Sequence, residues 1–154
     1  MIPDRVIEVL RGPSIMQLGT RDAELRPAHS YVAGAVVHDD RQTVTFFVNE
    51  KRSSKILSNL ENNGRVALGI AQLSHEAYQL KGAYVSSRPA SDEEYAFQET
   101  YGTKICAALC QWFPEETAKA LVRGMANRAG VAITFRVEEV FLQTPGPGAG
   151  SKMD

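Results

Sequence analysis

Apolar residues stand at helical spacing at Val6, Ile7 and Leu10, and Gly12-Pro13 halts the helix this predicts over residues 3–10. From Ser14 the period changes. Residues 14–18 start a strand, Arg21-Asp22-Ala23-Glu24 is a polar turn, and residues 25–37 form one long extended run with Pro27 near its start. His38-Asp39-Asp40-Arg41 is a second turn, after which Val44, Phe46 and Val48 alternate with Thr45, Phe47 and Asn49 at a period of two. Connections this short leave no room for crossover helices, so these strands pair antiparallel.

The stretch 44–66 then changes character, from a strand through a basic, hydroxyl-rich turn into a short helix. Ser53 or Ser54 is placed to cap that helix, Ile56, Leu57 and Leu60 give it one apolar face, and Asn63-Gly64 supplies a left-handed stop. The free amides of the first turn would then point outward beside Arg52, Ser53, Ser54 and Lys55, an arrangement that stabilises an anion such as a phosphate. Residues 65–71 and 78–86, the latter containing Gly82, read as further strands.

The segment 91–129 turns helical, with Asp92-Glu93-Glu94 in a favourable first-turn position. Pro114 with Glu115-Glu116 opens a later helix, whose apolar face is Leu121, Val122 and Met125. Strand patterns return at 131–137 and 140–143, and the Pro- and Gly-rich end TPGPGAGSKMD reads as a mobile tail or an arm on a partner subunit. About six strands with peripheral helices predict a small antiparallel barrel of the α+β class.

Composition narrows the function. A chain of 154 residues buries roughly 68–70% of the surface its unfolded form exposes, enough for one domain with its own core. With 44% hydrophobic residues, 23% charged residues and a net charge of -1, there is no whole-molecule field to attract nucleic acid, so any basic site is local. The acid-bearing start MIPDRVIEVLRG suits neither a leader nor a membrane span, and a cytoplasmic location is expected. Cys106 and Cys110 share a helical face, but no histidine occurs in the C-terminal half, so they read as small hydrophobes and no metal site is expected.

The order of these pieces resembles the FMN-binding split barrel of the pyridoxamine 5'-phosphate oxidase family, most strongly over residues 26–82. The family's strand ending in an aromatic-hydroxyl-Asn triplet matches Phe47, Val48 and Asn49. Its Ser-Arg-Lys matches Ser53, Ser54 and Lys55, and its Asn-Pro-Arg-Val matches Asn63-Gly64-Arg65-Val66. The extended RPAHSYVAG, with Pro27, His29 and Ser30, is similar to the strand that precedes them.

The resemblance implies a single FMN-binding split-barrel domain over 1–144, a flexible tail over 145–154, and a homodimer with the cofactor at its interface. It places Ser53, Ser54 and Lys55 on the FMN phosphate with help from Arg52, and Phe47, Val48 and Asn49 against the ring. Gln79 is the side-chain partner of a ring atom, and Trp112 is a candidate to close the pocket from the second subunit. The family's C-terminal Arg-x-His, which grips the pyridoxal substrate, has no counterpart in VFLQTPGPGAG. A flavin-dependent oxidoreductase acting on a different small molecule is the first expectation. A non-catalytic FMN-binding electron carrier is the alternative, as is a haem-binding or haem-degrading relative with His29 as axial ligand.

Overall fold

The computed structural model describes residues 1–125 and 128–153. The chain is an α+β split barrel, a curled antiparallel sheet with helices at its periphery. Strand β1 (Ser14–Arg21) pairs with β2 (Pro27–Val32) on one side and β5 (Arg65–Gln72) on the other, and β5 pairs with β6 (Ala77–Pro89). Strand β7 (Val131–Leu142) joins β6 to β4 (Thr43–Val48), and β4 pairs with β3 (Ala35–Val37).

Two expected boundaries move, each for a local reason. The run 25–37 is not one strand but β2 and β3, separated by a bend at Ala33-Gly34. Gly34 has φ 104°, where side chains are disfavoured, and a Cβ there would lie 2.9 Å from the Phe97 ring. Because β2 and β3 are halves of one bent segment at opposite ends of the strand order, the sheet returns to its start. Ala33 N donates to Phe47 O (2.8 Å) and Phe47 N to Gly34 O (3.3 Å) across this closure.

The second change is at β7, one continuous strand where the sequence pattern suggested two. It stays paired with β6 through register shifts at Lys81/Gly82 and Tyr84/Ser86. Gly82 is required at the first shift, since a Cβ would come within 1.9 Å of the Arg136 carbonyl oxygen.

The C-terminal segment, expected as a flexible tail, turns back on the barrel. Gly146 and Gly150 adopt positive φ, Leu142 N donates to Ser151 O, and Gly150 N donates to Leu142 O. Lys152–Met153 then form β8 beside Val140 and Phe141 of β7, with Met153 packed on the core. The same Gly content that suggested mobility permits the reversal.

Alternation along the strands fills the barrel with Met16, Leu18, Leu68, Ile70 and Leu80, and with Phe46 edge-on to Phe135 at 5.6 Å. Helix α1 (Asp4–Arg11) closes one end with Val6, Val9 and Leu10, and α2 (Glu50–Asn63) packs Ile56 and Leu60 inward. Gly64 ends α2 in the left-handed conformation, as Asn63-Gly64 predicted. The helical segment 91–129 divides into α3 (Asp92–Leu109), started by a Ser91/Glu94 capping box, and α4 (Glu115–Met125). Ala129 lies beyond α4, in the approach to β7. Among the described residues no helix is long and apolar enough to cross a membrane.

Candidate functional site

The chemistry-bearing stretch begins one helical turn earlier than the serines suggested. Asn49 is the N-cap of α2, in extended geometry at the end of β4, and its Oδ1 accepts from Lys51 N at 3.0 Å. Asparagine is among the strongest N-caps, and nothing between Asn49 and Ser53 delays the helix. Ser53, Ser54 and Lys55 therefore occupy the second turn, where backbone amides are committed to the helical ladder rather than to an anion. Ser53 is 2% exposed and its Oγ donates to Glu50 O (2.9 Å), while Ser54 faces solvent. Arg52 falls within α2, and its side chain lies outside the described part of the structure.

Lys55 is tied down. Its Nζ donates to Asp22 Oδ2 at 2.9 Å. Asp22, in the turn after β1, also accepts from the backbone amides of Glu24 and Arg26 and from Arg26 Nε. The Lys55 ammonium, with the backbone amide and guanidinium of Arg26, holds its carboxyl well below the usual carboxylate range. One turn further along the same helix face, the buried Asn59 amide donates to Thr20 Oγ1 (3.0 Å). The face 51/55/59 is thus laid along the β1–β2 hairpin, with only Lys51, at the helix start, lining a cleft.

Phe47 and Val48 are fully buried. Phe47 packs with Ala33, Ala129 and Ala132 and tilts against Phe97 at 5.9 Å, and its N–H and carbonyl are used in the barrel closure. Gln79 is half-buried on the outer face of β6, in register with Gly69 and Phe141, and is not brought together with the α2 residues within one chain. His29 is exposed and edge-on to Tyr31 at 5.4 Å, and His38 shares a hydrogen bond with Thr45 Oγ1 (2.9 Å). Among the described residues no group of three or more His, Cys, Asp or Glu is arranged to hold a metal.

One cleft gathers the polar groups, with a volume of about 190 Å³. It is lined by Ser30, Tyr31 and Ala33 from β2 and the bend after it, by Asn49 and Lys51 at the start of α2, by Arg123, Gly124 and Met125 at the end of α4, and by Ala129. Ala129 is fixed by Gln98 of α3, which is 3% exposed. The Gln98 Nε2 donates to Ala129 O (3.0 Å), and Ala129 N donates to Gln98 Oε1 (2.8 Å). Among the described residues that the sequence assigned to the cofactor, Asn49 alone lines this cleft; Ser30, of the family-like strand, and Met125, of the α4 apolar face, line it as well. Lys51 was legible had Asn49 been taken as the cap, whereas Arg123 carries no local signal.

A cleft of this size holds part of a nucleotide, since small-molecule sites occupy roughly 300–1,000 Å³. A larger open hollow of about 520 Å³ is lined by Gly19, Ala67 and Gly82 together with Arg65, Lys81 and Glu139.

Comparison with known proteins agrees with this architecture. The family model for pyridoxamine 5'-phosphate oxidase matches residues 2–144, and the chain belongs to that family. Among solved structures, HupZ of Group A Streptococcus is similar at 18% identity and a TM-score of 0.58, covering 97% of this chain and 100% of its own. A putative pyridoxamine 5'-phosphate oxidase from Lactobacillus delbrueckii is 16% identical with a TM-score of 0.56, covering 91% and 93%. An F420 reductase is also 16% identical with a TM-score of 0.56, covering 90% and 98%. At these identities the likeness is one of fold. No curated protein matches the chain in sequence.

Proposed function

We propose that this protein binds FMN and works as a flavin-dependent oxidoreductase on a small molecule other than pyridoxamine phosphate, as a homodimer whose second subunit completes each site. The observation that carries the reading is the cleft between Tyr31, Asn49 and Arg123 in a chain of this family. It offers cationic and amide groups around a slot too small for a whole flavin nucleotide. A second copy applied over the slot would supply the missing wall. We assign that wall to the outer sheet face carrying Gln79, where the small residues Gly19, Ala67 and Gly69 leave room for a partner.

Bound FMN would supply hydride or electron transfer. The protein's share is binding, orientation and exclusion of water. Asn49, with Oδ1 already accepting from Lys51 N, has its NH₂ left to donate to a ligand, and Tyr31 lines the same slot. The F420 reductase similarity makes a deazaflavin the second cofactor to try.

The visible spectrum of purified protein, with sedimentation run on the same sample, tests the reading. Flavin bands co-sedimenting with a dimer are expected. Haem bands, a colourless protein that fails to take up added FMN, or a flavin-loaded monomer would each refute the corresponding part.

A further inference from the structure

We infer that the phosphate end of the nucleotide is recognised by Lys51 and Arg123, and that Lys55, the lysine to which the family motif points, is a structural residue. The inference rests on the flavin-nucleotide reading and assigns its anionic end.

Lys55 is already neutralised. Its ammonium lies 2.9 Å from the Asp22 carboxylate, whose side chain is only 10% exposed. Arg26 pairs with both Asp22 and Glu24, so two cations meet two carboxylates in one closed cluster. A phosphate approaching Lys55 would meet the Asp22 carboxylate at the same nitrogen, and like charges at that separation repel.

Lys51 is different. It lies one turn nearer the helix start on the same face, lining the cleft, and Arg123 lines the same cleft from α4. Among the described residues neither has an ion-pair partner, whereas Lys119 on the same helix as Arg123 is paired with Glu115 and Glu116. Two cations from separate elements thus converge on about 190 Å³ beside the Ser30 hydroxyl and the Asn49 amide. That volume admits a phosphate monoester. Its dianion would be met by one ammonium and one guanidinium, the second able to grip two oxygens at once.

The test compares FMN with riboflavin, which lacks the phosphate, by flavin-fluorescence titration of wild type, Lys51→Ala, Arg123→Ala and Lys55→Ala. Lys51→Ala and Arg123→Ala are expected to weaken FMN about ten- to a hundred-fold each and riboflavin by less than about two-fold. Lys55→Ala is expected to lower the melting temperature while leaving the FMN-to-riboflavin affinity ratio unchanged. A ratio that collapses in Lys55→Ala and survives in the other two overturns the assignment. Arg123→Lys, keeping the charge but not the fork, should recover part of the loss, and equal losses for both flavins would show pocket damage and overturn it.

Wild type that binds neither flavin refutes the flavin reading itself. Inorganic phosphate followed through the backbone amide resonances then decides the seat. Shifts at Lys51 and Arg123 that vanish in the double alanine variant support it, and shifts centred on Lys55, or none, overturn it.

Discussion

Gln98 holds one wall of the cleft through a pair of bonds whose loss can be worked out in advance. Its amide answers both the N–H and the carbonyl of Ala129, at 2.8 and 3.0 Å, with Gln98 3% and Ala129 1% exposed. Gln98→Leu keeps the volume and removes both partners. Each stranded backbone group costs about 1–3 kcal/mol, and the added apolar burial returns part of that, so a loss of about 2–4 kcal/mol is expected. With a urea m-value of about 2 kcal/mol/M, the midpoint should fall by roughly 1–2 M at unchanged m.

Gln98→Glu gives a sharper reading of the same geometry. It keeps an acceptor for the Ala129 N–H but sets a carboxylate against the carbonyl. Its deficit should be large at neutral pH and shrink in mild acid, as the protonated carboxyl regains an O–H donor. A Gln98→Leu loss below about 0.5 kcal/mol, the level of an ordinary surface change, would refute the clamp, as would a Gln98→Glu deficit that ignores pH.

Other outcomes follow from the geometry. Gly82→Ala should destabilise by at least about 2 kcal/mol in thermal melts, because the new methyl meets the Arg136 carbonyl backbone rather than a side chain that can move. Asp22 has a depressed folded-state pKa. Its contribution is therefore present above the unfolded value of about 3.9 and is lost as pH falls toward the folded one, and Asp22→Asn should flatten the acid limb of melting temperature against pH. Aerobic incubation with pyridoxamine phosphate should yield no pyridoxal phosphate, since VFLQTPGPGAG carries no match to the substrate-gripping Arg-x-His; turnover of about 1 per second or faster would contradict this.

The barrel was legible in the chain because strand alternation and turn residues are local signals. Val44, Phe46 and Val48 point inward as their period demands, and Gly64 ends α2 where Asn63-Gly64 said it would. The bend at Gly34 was missed because nothing in RPAHSYVAGAVV breaks the pattern except one glycine, and the Phe97 ring that leaves no room for a Cβ there lies sixty-odd residues away. Two features around the α2 start were not legible, for two reasons. A serine pair looks like a cap until the asparagine four residues earlier is seen to take the role. The ion pair that occupies Lys55 is made with a turn more than thirty residues upstream, which no spacing along the chain reveals. Arg123 and Gln98 reach the cleft only through the packing of α3 and α4, so their part is a property of tertiary structure alone.

The bend that closes the barrel has a mechanical consequence. Residues 30, 31 and 33, residues 49 and 51, residues 123–125 and Ala129 meet at one place, and that place is the seam of the cylinder, where β2, the end of β4 and the approach to β7 come together. A molecule seated there acts as a clasp across segments some eighty residues apart in the chain. It holds shut a joint that loop entropy favours opening. The resulting gain grows as RT ln(1 + [L]/Kd), so an empty barrel should exchange its amides fastest along this line, at 128–130 and beside the Ala33–Phe47 bond, and a filled one should not.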